Sequence, residues 1–413
     1  MERQSTVLIV ANYFFGNSSA SIAQRNDVAA LIQSGYKAIV LGPRRLFGSP
    51  LLYECMTLQD VARAESFPDR DQPNVLFHLC SIIGYFSTIR IARQILKRRN
   101  PRAVIAMYHP AHIASFCGYL ISAIFKLPLI IRCHDLIYPP CPGFIRRASS
   151  LIITTLFNSL SFRRARTITV VSSEQKTILK QFYKCKGKIV ILPNTVDTHV
   201  FKPMRSKSNF LRELGLEGKR VVLLVEGSSH ALEGQPITSI LSAFREVAEK
   251  REDIRLVIIG RELHKSELRR LVLFFQLGDY VMVLEDVSHK DIVKVLSLGH
   301  IAFGPMNAPN GAIPLSSLEY MACGIPVIAA RGCISKDLLE PRYNGLIVDP
   351  RETHSLISAL ETLLSNARLT HWMGENARCH VHLHFSISVA ATILAREIDS
   401  LSRLETRFSK CLK

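Results

Sequence analysis

A loop rich in glycine, proline and asparagine, GPMNAPNGAIP (304–314), runs into the apolar helix pattern LSSLEYMACGIPVI. The free backbone N–H groups and positive dipole end of a helix that begins near Leu315 suit a diphosphate. Gly311, Ala312, Ile313, Pro314 and Leu315 form this predicted anion loop. Glu319 lies one turn further along the predicted helix. Its carboxylate either accepts hydrogen bonds from ligand hydroxyls or lies on the helix surface and pairs with the helix dipole. The apolar residues next to it favour the ligand-binding role.

A second candidate site follows the apolar strand IIRC, where His134 and Asp135 come next. His134 ends this strand at the edge of the predicted ligand cleft. The structural alternative is a core histidine bonded to backbone, with Asp135 capping the following turn, and on the residues alone this alternative is favoured. His109 and His112 are weaker candidates because loop histidines are usually solvated.

The sequence predicts no metal site. Asp69 and Asp71 have the spacing of an Asp-x-Asp metal motif, but they lie in the polar stretch ESFPDRDQPN before a strand, which favours a solvated turn. The ten cysteines show neither C-x-x-C pairs nor Cys/His ligand spacing, so we expect neither structural zinc nor disulfides.

The elements that must position these residues alternate as strands and helices. Continuous apolar runs suit parallel strands covered on both faces, and the stretches between them have helical spacing. The 413 residues are too many for one core, and the pattern restarts after FKPMRSKSN (201–209), which is typical of a linker. We therefore predict two doubly wound α/β domains, 1–200 and 201–380, with a ligand cleft at the strand carboxyl ends and a helical tail, 381–413.

Positive charge is concentrated in the first half of the chain. Of the net +18, residues 1–200 hold 25 Lys/Arg against 10 Asp/Glu, a balance of +15. A solvated surface, an anionic membrane or a polyanion would each account for this charge. Nucleic acid is not expected as a partner because aromatic residues are sparse near the basic clusters.

One apolar stretch, residues 113–131, is long enough to span a membrane. Lys126 and Pro128 interrupt it, and a central lysine costs roughly 2.5–3.5 kcal/mol on insertion scales. A buried helix followed by a buried strand explains the stretch better. No signal peptide is expected, because the apolar start VLIVAN is short.

Four segments resemble the retaining glycosyltransferases of family 4. They are IIRCHDLIYP (130–139), TVVSSEQKTIL with VILPNTVDTHVFKP (169–203), PLSSLEYMACGIPVIAA with YNGLIVDP (314–350), and MGENARCHVHLHFS (373–386). No single segment is decisive, and their order and spacing carry the match.

The resemblance implies a GT-B fold: two Rossmann-like domains, an acceptor-binding one and a nucleotide-sugar-binding one, face across a cleft, and a C-terminal helix crosses back to the first. It also implies a metal-independent hexosyltransferase whose donor is a nucleotide-diphosphate sugar, with no other cofactor. A lipid-linked or polysaccharide acceptor at the cytoplasmic face of the inner membrane is expected, with peripheral attachment through the basic first half.

The resemblance assigns site roles to matching positions. His134 and Asp135 match the catalytic strand end. Glu319 matches the ribose ligand of the donor. Further donor-binding positions are Gly227, Ser228, Arg261 and the 311–315 loop.

Three departures from the family pattern weaken the sugar end of the site. Gly311 stands where the family has a sugar-directed glutamate. Ser228 and Glu233 stand where an arginine and a lysine approach the diphosphate, leaving Arg261, Arg331 and Lys336 as substitute cations, with His230 a poorer one. FFGNSSAS (14–21) replaces a Gly-Gly loop. The competing hypothesis is a catalytically degenerate relative that keeps the cleft as a binding module or scaffold.

Overall fold

The computed structural model describes residues 5–11, 19–42, 51–55, 89–97, 99–108, 114–134, 157–183, 185–204, 208–226, 236–260, 265–285, 287, 289–308, 311–349 and 351–411. The chain forms two compact units. The first comprises Met1–Thr195 and Ile387–Lys413, and the second comprises Val196–Ser386. The sequence-based boundaries at 200 and 380 lie close to these divisions.

The first unit contains a seven-stranded sheet of order β3-β2-β1-β4-β5-β6-β7. All of its strand pairs are parallel except β2–β3. Its strands are β1 (Thr6–Val10), β2 (Lys37–Gly42), β3 (Leu51–Cys55), β4 (Pro101–Tyr108), β5 (Leu129–Cys133), β6 (Thr167–Val170) and β7 (Lys188–Ile191). Its helices are α1 (Ser19–Gln33), α2 (Ala114–Phe125), α3 (Ser173–Phe182) and, from the end of the chain, α11 (Ile387–Cys411), with further helical residues at 89–97 and 157–164.

Both faces of this sheet are buried. Val7 and Ile9 of β1 belong to one apolar cluster with α1 and α11, while Leu8 and Val10 belong to a second cluster with α2. Successive strand residues point to opposite faces, so a continuous apolar run is what a doubly covered strand requires. The antiparallel edge strand β3 was not predicted.

The second unit contains a six-stranded, wholly parallel sheet of order β10-β9-β8-β11-β12-β13. Its strands are β8 (Arg220–Glu226), β9 (Ile254–Gly260), β10 (Val281–Glu285), β11 (Ile301–Phe303), β12 (Val327–Ala330) and β13 (Gly345–Val348). Its helices are α4 (Ser208–Glu213), α5 (Pro236–Ala248), α6 (Lys265–Phe274), α7 (His289–Leu296), α8 (Leu315–Ala322), α9 (Thr353–Ser365) and α10 (Ala367–His384). The expected pair of doubly wound α/β sheets is confirmed.

Helix α11 returns to the first unit and covers one face of its sheet. Its apolar residues recur at helical spacing and pack with α1: Ile387, Ala390, Ala391, Leu394, Ile398 and Leu401. Tyr36 donates a 2.6 Å hydrogen bond from its hydroxyl to Asp399 Oδ1. Burial, then the bonded carboxylate, raises the pKa of Tyr36 to about 12. The crossing of the C-terminal helix to the first domain is therefore confirmed.

The apolar stretch 113–131 forms helix α2 and strand β5, as expected. None of the helices in the described part of the chain is long and apolar enough to cross a bilayer. The six cysteines whose side chains the structure describes form no disulfide bond: Cys117, Cys133, Cys185, Cys323, Cys333 and Cys379. The apolar run Val75–Leu79, which fits the predicted pattern of buried strands, lies outside the described residues.

Candidate functional site

In the first unit the candidate site lies at the carboxyl end of β5. His134 follows the last residue of this strand and is 8% exposed. Two residues earlier, within the strand, the buried guanidinium of Arg132 contacts Asp27 on α1. It donates from Nε to Asp27 Oδ2 at 2.8 Å and from Nη2 to Asp27 Oδ1 at 3.3 Å. A strand end and a helix are thus joined by a fork-to-fork ion pair, the geometry in which Arg–carboxylate pairs are strongest.

His134 belongs to the same network. Its Nε2 lies 3.1 Å from Asp27 Oδ2. Its Nδ1 lies 2.9 Å from Asn194 Oδ1. Both ring nitrogens therefore face side chains of the protein. The structural alternative for His134 was a core histidine bonded to backbone, whereas the ring nitrogens of His134 lie next to side chains.

The loop after β7 completes this network. Arg132 donates from Nη1 to the carbonyl of Leu192 and from Nη2 to that of Pro193 at 3.2 Å. On α1, Asn26 donates to the Thr195 carbonyl at 2.6 Å. Residues 192–195 are thereby tied to the strand end that bears His134, so parts of two of the sequence segments singled out above meet in one place.

Asp27 is ionised in this network. Burial alone would raise its pKa, but the positive charge of Arg132, with His134 beside it, outweighs burial and leaves the pKa of Asp27 below 3.8. Because its charge is matched by Arg132, Asp27 anchors the guanidinium and the imidazole. It acts on His134 as a positioning residue.

In the second unit the candidate site is the 311–315 loop and helix α8. Pro314 is the N-cap residue and supplies no side-chain cap, and the first turn of α8 contains no acidic residue. The first N–H groups of a helix have no acceptor within the helix. An uncapped helix start of this kind suits an external anion, and the anion loop at 311–315 stays a prediction.

Several contacts hold α8 and its loop in place. The Ser335 N–H donates to the Ala312 carbonyl at 2.8 Å. The Tyr320 hydroxyl, on a fully buried ring, accepts from the N–H of Val225 near the end of β8. Arg378 on α10 donates to the Ala322 carbonyl at 2.8 Å and places a positive charge at the negative end of the α8 dipole.

Glu319 is 4% exposed and lies in the second turn of α8. The surface-carboxylate alternative is wrong for this residue, since its side chain is buried. A carboxylate buried beside an uncapped helix start suits a ligand that carries both a diphosphate and hydroxyl groups.

The possible substitute cations differ in their surroundings. Lys336 is exposed and follows Ser335, whose N–H is bonded to Ala312 in the anion loop. Arg331 is exposed beyond the end of β12. Asp135, Gly227, Ser228 and Arg261 lie outside the described residues, as do His109, His112, His230, Glu233, Asp69 and Asp71. The catalytic and donor-binding roles given above stay predictions.

Gly311 has a backbone φ of +76°, in the left-handed region. A side chain there costs about 1–2 kcal/mol. We expect Gly311→Glu, which restores the carboxylate of the family pattern, to lower the melting temperature and to leave donor binding no tighter. Gly311→Ala is the control and should lose similar stability. A Gly311→Glu protein that melts like the wild type would contradict this expectation.

Among the described residues, no group of three His, Cys, Asp or Glu side chains is placed to hold a metal ion. Two residues were missed in the sequence. Asp27 lies far from Arg132 along the chain, and Tyr320 was considered only as an apolar neighbour of Glu319. A signal for Asp27 was present, because an arginine inside the apolar run LIIRC requires a buried carboxylate partner.

Two family models match the chain. The model described as "Glycosyltransferase Family 4" matches residues 28–200, and the model described as "Glycosyl transferases group 1" matches residues 209–380. Together they cover most of the sequence and both candidate segments.

Three curated relatives illustrate the similarity, at 24–27% identity. A GDP-mannose-dependent monoacylated alpha-(1-6)-phosphatidylinositol monomannoside mannosyltransferase of Corynebacterium glutamicum is 27% identical over 51% of this chain and 56% of its own length. An alpha-D-kanosaminyltransferase of Streptomyces kanamyceticus is 25% identical over 73% of this chain and 78% of its own length. A D-inositol 3-phosphate glycosyltransferase of Pseudarthrobacter chlorophenolicus is 24% identical over 68% of each chain.

Solved structures share the fold. A sucrose-phosphate synthase of Thermosynechococcus elongatus superposes with a TM-score of 0.73, at 17% identity, over 97% of this chain and 99% of that one. Anabaena Alr3699/HepE in complex with UDP and glucose gives a TM-score of 0.70, at 18% identity, over 96% and 100%. The predicted GT-B fold is confirmed by these similarities.

Proposed function

The chain belongs to the glycosyltransferases of family 4 and group 1, and on that premise we propose that it transfers a sugar from a nucleotide-diphosphate donor. The observation that carries this proposal is the uncapped start of α8 next to the buried carboxylate of Glu319. The helix start receives the diphosphate, and Glu319 accepts hydrogen bonds from the ribose hydroxyls of the donor.

Comparison with related proteins supports a nucleotide-sugar donor. The Corynebacterium relative is named for its dependence on GDP-mannose, and Alr3699/HepE has been solved with UDP and with UDP-glucose. The donor base and sugar of this chain are left to experiment, and the nucleotide-diphosphate sugar is the co-substrate we propose, without a further cofactor.

The transfer is proposed to retain configuration and to need no metal. Backbone N–H groups and the α8 dipole stabilise the leaving diphosphate, contributing about 0.3–1 kcal/mol and up to ~2 when partly buried. One cation at 4 Å, at an effective dielectric constant of 20, has a gross attraction of ~4 kcal/mol. The dipole therefore needs a cationic partner, and Lys336 beside the anion loop is our choice.

A lipid-linked or polysaccharide acceptor at the cytoplasmic membrane face is the proposed acceptor. The Corynebacterium relative acts on a phosphatidylinositol derivative, and a +15 first half favours an anionic surface by ~1 kcal/mol per basic residue near it. His134, held by Asp27 and Asn194, is the catalytic residue we propose, with Asp135 next to it in sequence.

A thermal-shift panel tests the donor proposal. We expect one nucleoside diphosphate, and its matching nucleotide sugar, to raise the melting temperature of the full-length protein in the absence of added metal, because ligand binding stabilises the folded state by mass action. EDTA is the control for metal independence. If the protein is a catalytically degenerate relative, it should bind the donor without turning it over. Release of sugar is therefore measured next, with the donor that raises the melting temperature. A panel without any shift would contradict the donor site.

A further inference from the structure

A cavity of about 480 Å³ opens in the first unit at the amino-terminal ends of β5, β6 and β7. The first residues of these strands, Leu129, Thr167 and Lys188, line it. His134 follows the opposite end of β5, so this cavity is separate from the candidate transfer site of the unit.

The wall of the cavity is strongly basic. Six cations and one carboxylate, Glu397, line it, a net charge of +5; the cations are Lys126, Arg163, Arg164, Arg166, Lys186 and Lys188. Lys188 pairs with Glu397 at 2.7 Å. Within the described part of the chain, the other five have no anionic partner. Two helix ends nearby, of α2 and of 157–164, contribute only about half a negative charge each, so the field favours an anion.

The backbone conformation of Lys126 is a second, independent indication that the cavity binds a ligand. It follows the end of α2 with φ of +57°, a left-handed conformation that glycine adopts at lower energy. A lysine at this position loses backbone stability and gains an exposed ammonium at the cavity wall. Residues that keep such a conformation in spite of its cost are enriched at ligand sites.

The opposite wall is fixed by backbone contacts. Arg166 donates its N–H to the Leu129 carbonyl, and its own carbonyl accepts from Lys188, both at 2.9 Å. Gly187 passes so close that an added Cβ would lie 2.3 Å from the Ala165 carbonyl oxygen. Lys186 and Lys188 are therefore held beside Arg166 by main chain that cannot shift freely.

Glu397 completes the cavity. It is 1% exposed, its Oε1 accepts from Lys188, and its Oε2 is buried without a hydrogen-bond partner among the described residues. Buried carboxylate oxygens are normally bonded. The cavity thus combines several unpaired cations with one acceptor that a hydroxyl, direct or through an ordered water, would satisfy.

We infer that this cavity binds a phosphate monoester that carries a neighbouring hydroxyl. Guanidinium groups suit the phosphoryl oxygens, and a volume of about 480 Å³ exceeds what a bare phosphate fills. Such a group occurs both on soluble metabolites and on phospholipid headgroups.

The test uses the protein with glycerol 3-phosphate in solution and, separately, phosphatidylcholine vesicles with and without 1-acyl lysophosphatidic acid. Both ligands carry a phosphate monoester next to a free hydroxyl. Titration calorimetry and co-sedimentation measure the two arms. Arg163→Ser with Arg166→Ser should weaken binding at least roughly tenfold, because each lost charge-assisted hydrogen bond removes affinity. Arg93→Ser with Lys97→Ser, an equal loss of exposed charge from residues outside the cavity wall, is the matched control.

The variant Lys126→Gly provides a second measurement, in which weaker phosphate binding cannot be attributed to loss of folding. It should melt at or above the wild-type temperature and still bind the phosphate less tightly. Stronger binding in the vesicle arm assigns a lipid headgroup, and binding confined to glycerol 3-phosphate assigns a soluble ester. No binding in either arm, or an equal loss in the Arg93/Lys97 control, would overturn the inference.

Discussion

Replacing Glu319 with alanine is expected to weaken nucleotide binding at least roughly a hundredfold, because two hydrogen bonds to a charged acceptor, at ~1.5–3 kcal/mol each, are lost. The residue is buried in the second turn of α8, directly after the uncapped helix start. Titration calorimetry with the nucleoside diphosphate selected by the thermal-shift panel measures the effect.

Two variants sharpen this prediction. Glu319→Gln keeps the shape and one acceptor oxygen, so its affinity should fall between those of the wild type and Glu319→Ala. Glu375→Ala removes an exposed carboxylate of α10 in the same unit and should bind the nucleotide normally. If a folded Glu319→Ala protein retains wild-type affinity, Glu319 is a structural carboxylate and the donor assignment is wrong.

Replacing Asp27 with alanine is expected to lower the free energy of unfolding by about 3–5 kcal/mol, because it leaves the guanidinium of Arg132 buried and unpaired. Denaturant unfolding measures this loss. The matched control is Glu217→Ala, which breaks an exposed pair with Arg212 and should cost less than about 1 kcal/mol.

The double variant Asp27→Leu with Arg132→Met separates stability from positioning. A pair of apolar residues of similar volume replaces a buried ion pair at little cost, so stability should recover while sugar transfer stays impaired, since His134 loses its anchor. Full recovery of both would show that Asp27 serves the fold alone.

The same carboxylate sets a pH dependence. Its pKa is lowered in the folded protein, so its contribution to stability is present above the unfolded value near 3.9 and is lost as the pH falls through the lower folded value. Unfolding free energies measured from pH 5 downward should decline in the wild type. Asp27→Asn should remove that part of the decline.

The local patterns of the sequence were sufficient for the sheets and for the start of α8. Apolar runs bounded by helical spacing identified the buried parallel strands, and the glycine–proline loop before Leu315 predicted where α8 begins. Local patterns could not predict the residues whose role depends on a partner far away in the sequence. Asp27 meets Arg132 only after α1 packs on the sheet, and β3 pairs antiparallel at an edge where no periodic pattern distinguishes it.

The His134 assignment shows the same limit. Its place at a strand end was correct, yet its neighbours Asp27 and Asn194 come from either side of it in the chain and are brought together by the order of strands in the sheet.

The first unit is built from two separated pieces of chain, with α11 as its last component. During synthesis from the amino terminus, α1 reaches this face of the first sheet early, but α11 is added only after the whole second unit has been translated. The part of the face that α11 covers would stay open to water or to a chaperone for this interval. Translation of the second unit therefore sets a minimum waiting time before the first can close.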